Sequence, residues 1–194
     1  MQVPTMHLVE DIPESPEQER ELLLSASAGD ELASRTLFRT HVGRVHRRVS
    51  RILGSNDPDV EDVVQRVFLA ALDSAPRFAC RSSLGTWLLG IATRKALDEA
   101  RARKRRQRFR TLKQRVGLGR PASRPDVRHG ALSQAERLLA ELSVEQRTVF
   151  LLHAVEGHTF AEIRELTGVG ISTLHARLKA ARRRLDALNL EDPR

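Results

Sequence analysis

Residues 159–185 read TFAEIRELTGVGISTLHARLKAARRRL. Two short apolar patterns at helical spacing lie on either side of Gly168-Val169-Gly170. Thr159 is placed to cap the first helix, whose apolar residues are Phe160, Ile163 and Leu166. Gly168 supplies the positive φ that ends it. Ser172 or Thr173 starts the second helix, with Leu174, Leu178, Ala181 and Leu185 as its buried stripe. The other face carries His175, Arg177, Lys179, Arg182 and Arg183. A DNA-reading helix pair has this asymmetry. Its first helix braces, and its second enters the major groove with cations turned toward phosphates and base edges. The free amides at the start of the second helix add a phosphate site. The competing reading is a solvated basic helix packed on a helical domain.

The rest of the chain agrees with a polyanionic partner. Its 194 residues carry a formal net charge of +8, and the isoelectric point is near 11.0. That excess favours nucleic acid first and an anionic membrane second. No apolar run approaches the ~18 residues of a membrane span. The N-terminus, MQVPTMHLVEDIPESPEQER, is acidic and lacks the apolar core of a signal peptide. A cytoplasmic protein is expected. Aromatics make up 4% of the chain and tyrosine is absent, so small aliphatic cores are expected, which suit helices better than sheets.

Catalytic and metal chemistries find no support. His153 and His158 are five residues apart, off a common helical face, and no carboxylate pair completes a zinc site. Phosphate-loop and nucleophile-elbow motifs are missing. The single cysteine, Cys80, excludes an internal disulfide. The chain is expected to be no enzyme and to need no cofactor.

Charge divides the molecule. Residues 1–24 hold six acids and one base, whereas residues 100–125 hold eleven bases and no acid. The aperiodic VGLGRPASRPDVRHG within residues 108–130 reads as a linker. Before it, helices are expected over 16–28, 30–53, from Asp57-Pro58 onward, and from Ser83 to about Arg106. Asp57 is placed as N-cap of the third, with Pro58 in its first position. The third helix has a clean stripe of Val60, Val63, Val64, Val67, Phe68, Ala71 and Leu72. After the linker, four helices are expected near 131–142, 144–155, 159–167 and 171–187. The fold class is therefore all-α: two small helical domains joined by a flexible basic linker, the second a helix-turn-helix.

Three stretches carry a family resemblance. Residues 139–185, LAELSVEQRTVFLLHAVEGHTFAEIRELTGVGISTLHARLKAARRRL, resemble the promoter-reading domain of bacterial RNA polymerase sigma factors of the extracytoplasmic-function (ECF) type. Residues 57–72, DPDVEDVVQRVFLAAL, are similar to the family's polymerase-binding helix. Residues 77–106, RFACRSSLGTWLLGIATRKALDEARARKRR, are similar to its promoter-melting segment. The resemblance covers about 20–107 and 131–188, in the family's order.

It implies a role for each stretch. Asp62, Gln65, Arg66 and Leu69 would dock on the coiled coil of the polymerase's largest subunit, and the polymerase's flap is a further implied contact. Arg66 stands where the family usually has an acid. The bare reading of Asp57, Asp59, Glu61 and Asp62 is a complement to the helix dipole. The loop over 76–82 would accept a base flipped from the non-template strand, at a few kcal/mol of lost stacking. Arg77, Arg81 and Ser82 would hold phosphates there, and Trp87 lies nearby; the bare reading of Phe78 and Trp87 is core packing under the loop. Thr93, Arg94, Leu97 and Arg101 would form an exposed stripe reading the downstream (−10) element, although the family often has asparagine at the position of Arg94. Arg103 to Arg106, with Arg105 among the reading residues, would add backbone attraction. Ser172, Thr173, His175, Arg177, Lys179, Arg182 and Arg183 would engage the upstream (−35) element. Cys80 stands where the family loop has glycine. Arg164 replaces a small residue, so it either splays the helix pair or snorkels outward.

The implied organisation is an acidic tail over 1–19, a polymerase-binding and promoter-melting unit over 20–107, a linker over 108–130, the helix-turn-helix unit over 131–188, and a short tail over 189–194. The implied function is promoter-specific initiation with core RNA polymerase, with an anti-sigma factor as a further partner and no membrane insertion. The alternatives are a stand-alone helix-turn-helix regulator, and a sigma-like decoy that holds polymerase or a regulator without reading DNA.

Overall fold

A computed structural model describes residues 15–115 and 133–191, and among these residues the regular structure is helical, with no strand. The helices are α1 (Pro16–Ser27), α2 (Glu31–Leu53), α3 (Val60–Asp73), α4 (Leu84–Arg115), α5 (Gln134–Ala140), α6 (Val144–Phe150), α7 (Phe160–Thr167) and α8 (Ile171–Glu191). A short 3-10 turn follows α3, and a π-helical turn over Leu151–Val155 continues α6.

Local chemistry starts these helices where side chains satisfy free amides. Ser15, Ser133, Ser143 and Thr159 each close a capping box with Gln or Glu three residues on. Asp30 accepts from Ala33 N. One cap comes from far along the chain: Glu19 Oε2 accepts from Leu84 N at 2.7 Å, so α1 caps α4. The third helix starts later than expected. Asp59, not Asp57, is its N-cap, and no side-chain cap bond forms. Asp57 instead accepts from Asp59 N within a turn and binds Arg103.

The first four helices enclose a core in which Leu23, Val49, Val63, Val67, Leu84 and Leu88 have no exposed surface. Burying each such side chain contributes roughly 1.5–3 kcal/mol. A second, smaller core joins Val149, Leu152, Ile163, Leu174 and Leu178.

Boundaries shift relative to the sequence reading. Helical structure begins at Pro16, where the first helix is expected, whereas α4 runs to Arg115, through the first part of the expected linker. Nothing between Arg103 and Arg115 breaks a helix, whereas the first glycine comes at 117. At the other end α8 extends to Glu191, past 188. The tail over 1–14, the linker over 116–132 and residues 192–194 lie outside the described residues.

The two units dock on one another. Leu151 is part of the first core, with Leu139 and Val144 packed at its edge. Buried Arg147 donates to Ile52 O at 3.2 Å and to Leu139 O at 2.7 Å, and also to Ala140 O and Leu142 O. These carbonyls sit at the C-terminal ends of α2 and α5, where helix carbonyls lack intrahelical partners and favour a cation. One guanidinium thus closes two helices belonging to different units. A Cβ on Gly90 would come within 3.2 Å of Leu166 Cδ2, so α7 presses directly on α4.

Candidate nucleic-acid and polymerase interfaces

The helix pair over 159–191 is built as its sequence implies. Gly168 adopts φ 70°, and its N–H donates to Arg164 O. Thr167 Oγ1 accepts from Val169 N at 3.3 Å, which tightens the turn into α8. Leu174, Leu178 and Ala181 are buried, and Leu185 is half-buried. Ser172, Thr173, His175, Lys179, Arg182 and Arg183 are exposed, and Arg177 is half-buried. Arg184, in the same basic run, pairs with Glu141 at 2.7 Å. Arg164 is exposed, so it extends outward rather than splaying the pair. The imidazole of His175 lies against Phe160, with ring centroids 3.9 Å apart.

On α3, the valine stripe faces inward while Asp62, Gln65 and Asp73 are exposed. Leu69 is 54% exposed, an apolar side chain in a polar frame. Phe38 of α2, also exposed, meets Phe68 in a tilted ring contact at 4.9 Å. Arg66 turns from this face toward α4. It bonds Asp62 and Glu99, each at 2.9 Å.

Glu99 is a hub. It is buried and receives Arg66, Arg106 at 2.6 Å and Arg103 at 3.6 Å. The hydrogen bond from Arg66 holds its carboxyl below the ordinary range, against the opposing effect of burial. Arg103 is also bound by Asp57 and Asp59. The acids before α3 therefore do more than complement its dipole: they anchor α4.

That network gives three members of the basic run partners within the protein. Arg103 binds Asp57 and Asp59, while Arg106 and Lys104, which pairs with Glu145 at 3.5 Å, remain exposed beside their acids. Arg105 is exposed and unpaired among the described residues. Arg101 pairs with Asp98 at 3.1 Å, and Arg94 is exposed.

Thr93 and Leu97 depart from the expected exposed stripe. Thr93 has no exposed surface and Leu97 is 4% exposed. Thr93 Oγ1 donates to Leu89 O at 2.8 Å and accepts from Arg48 at 3.3 Å. Gly90, one turn before Thr93, lies against Leu166 of α7, so the second unit approaches α4 near this side. In the loop before α4, Arg77, Arg81 and Ser82 are exposed. Phe78 is buried, with its ring 5.1 Å from that of half-buried Trp87. These two aromatics pack the core under the loop, as their bare reading has it. Cys80 holds φ 52°, a left-handed conformation that glycine adopts more easily.

Sequence reasoning missed Arg48, Arg147 and Glu99. A signal existed. Arg48 shares the spacing of Val45, Val49 and Ile52, and Arg147 that of Val144 and Leu151, so each is a cation on an apolar face. Glu99 is spaced four and seven residues from Arg103 and Arg106.

Comparison with known proteins agrees with the geometry. Residues 37–106 match the family described as Sigma-70 region 2, and residues 132–185 match Sigma-70, region 4. The chain is 31% identical over 166 residues to the ECF RNA polymerase sigma factor SigC of Mycobacterium tuberculosis, covering 83% of this chain and 85% of that one. It is 30% identical over 168 residues to SigM of the same species, covering 87% and 83%. Among solved structures, CnrH in complex with the cytosolic domain of CnrY matches with a TM-score of 0.53 and 26% identity, over 90% of this chain and 99% of that one. The sigma factor RpoE of Bartonella quintana, in complex with the anti-sigma factor NepR, shares the fold at a TM-score of 0.54 and 22% identity, over 82% and 98%. Nothing here favours a stand-alone regulator or a decoy. With both sigma regions in order on one helical chain, the protein belongs to the ECF family of RNA polymerase sigma factors and directs promoter-specific transcription initiation.

Proposed function

We propose that the two units divide the work of initiation. The first, α1 to α4, docks on core polymerase through the α3 face of Asp62, Gln65 and Leu69, with Arg66 bracing that face from behind. Arg77, Arg81 and Ser82 hold the opened strand. Arg94, Arg101 and Arg105 meet the downstream element. The second unit reads the upstream element with α8, through His175, Arg177 and Lys179 near its start, and through phosphate contacts of Arg182 and Arg183 farther on. Thr93 and Leu97 join the downstream surface only when the second unit moves off α4. The protein acts in the cytoplasm as a non-catalytic partner of polymerase. An anti-sigma factor is an expected further partner; CnrH, to which this chain is similar, was solved in complex with the cytosolic domain of CnrY.

The observation that carries this reading is α8 itself. Its exposed cations lie opposite fully buried Leu174 and Ala181, directly after the left-handed Gly168. The test is transcription in vitro with core polymerase and a promoter library. The wild-type chain should select promoters with two separated elements. Alanine at Arg94 should relax the downstream element alone, and alanine at Lys179 the upstream one alone. Transcription without promoter selection would overturn the assignment.

A further inference from the structure

His175 is an exposed side chain, yet it is not free. Its ring lies 3.9 Å from that of Phe160, tilted by 35°. The opposite neighbour of Phe160 is His153, stacked at 4.3 Å and 27°. His153 is fixed in turn, because its Nδ1 meets the backbone oxygen of His158 at 2.8 Å. Phe160 is itself pinned. It is the first residue of α7, directly after the Thr159 capping box, and it packs against the core of the second unit. Three rings therefore form one stack running from the end of α6, through the start of α7, to the second turn of α8.

From this geometry we infer that Phe160 is a positioning residue for promoter reading: it holds the His175 imidazole in one orientation, so that its nitrogen edge is presented to a base. The inference rests on the assignment of α8 to the upstream element. Its physics is preorganisation. A side chain already fixed loses little rotamer freedom on meeting its target. An imidazole offers a directional donor or acceptor edge, and base readout depends on that direction. Lys179, one turn on, is exposed and carries a rotatable ammonium on a flexible stem, so its contact is the less directional of the two. Phe160, half-buried between ring neighbours, acts through His175.

The test uses the full chain assembled with core polymerase, selecting promoters from a library randomised over the upstream element. Four variants are compared: Phe160→Leu, Phe160→Tyr, His175→Ala, and the double variant Phe160→Leu/His175→Ala. Phe160→Leu and His175→Ala should each lose base preference at the same single position, by a factor on the order of tenfold. The double variant should lose no more than either alone, and Phe160→Tyr, which keeps the ring, should retain the preference. Preference elsewhere in the element should stay intact, a pattern that general unfolding of the helix pair does not produce. Losses at different positions, or losses that multiply in the double variant, would overturn the inference. So would a Phe160→Leu variant that keeps the preference. If Arg182→Ala and Arg183→Ala still weaken complexes while His175→Ala changes no preference, α8 binds DNA but this stack does not serve reading. If no α8 variant has any effect, the assignment of α8 falls, and the inference falls with it.

Discussion

Arg48 of α2 and Glu156, just beyond the π-helical turn after α6, meet at 2.6 Å across the boundary between the two helical units. Arg48 is buried, and it also reaches Thr93 on α4. Burial pushes its guanidinium pKa down, and Glu156 opposes that shift. Glu156→Lys leaves a buried cation facing another. The expected cost is about 2–4 kcal/mol, less than for a fully buried pair because Glu156 is partly exposed. Urea unfolding should show that loss, and X-ray scattering a larger radius of gyration. The swap Arg48→Glu/Glu156→Lys should restore much of both. A single variant as compact and stable as wild type would show that the pair does not hold the units together.

Glu99 gathers three arginines. Glu99→Gln should cost about 1–2 kcal/mol, a modest figure because Arg66 and Arg106 retain access to water. Its pH dependence has a definite sign. A carboxyl whose folded pKa is depressed stabilises above its ordinary value of 4.5, and that contribution is lost as pH falls through the folded value. Thermal melts should therefore show the wild type losing its advantage over Glu99→Gln as the solution is acidified through that range.

His41 behaves in the same direction for a different reason. Burial lowers its pKa from 6.5; nearby Arg44 adds to the shift and Glu19 opposes it. Its Nδ1 is buried without a hydrogen-bond partner among the described residues. The unfolded chain takes up a proton near pH 6.5 that the folded chain resists. Stability from this site is thus complete above that pH and falls below it. His41→Gln should flatten the stability profile just below pH 6.5, as read by melts at closely spaced pH values.

The docking face on α3 can be removed without touching the core. Asp62→Arg/Leu69→Glu changes two exposed positions away from the valine stripe. The melting temperature should hold nearly constant, because such surface changes usually lie within about 0.5 kcal/mol each. Co-purification with core polymerase should be lost. Retention of binding would place the docking face elsewhere.

Arg182 and Arg183 are exposed at the far half of α8. Alanine at either should weaken complexes on all sequences alike and lower the salt slope by about one. Binding of the full chain with core polymerase across a salt series gives the measurement. Loss confined to one promoter sequence would make these residues base readers instead.

Much of the fold was legible in the residues. Thr159 with Glu162, Ser143 with Gln146, and Gly168 after Thr167 mark helix ends through contacts three or four positions apart. The stripes of Val63, Val67 and Ala71 on α3, and of Leu174, Leu178 and Ala181 on α8, mark the buried faces, because helical spacing alone decides which residues share a side. The cationic face of α8 followed from the same spacing.

The fate of the other charges did not. Arg103 lies in an unbroken basic run, yet acids 44 and 46 residues earlier hold it, while Arg105 two positions on is free among the described residues. Thr93 looked like a reader of DNA and lies buried under Arg48, which itself pairs with Glu156 of the second unit. Phe160 looked like a core residue, and only packing revealed two imidazoles on its faces. The physical reason is range. Helix caps and stripes are set within one or two turns of chain. The partner of a long, flexible cation or of a ring face is set by which helices pack together, and that is decided by the tertiary structure alone.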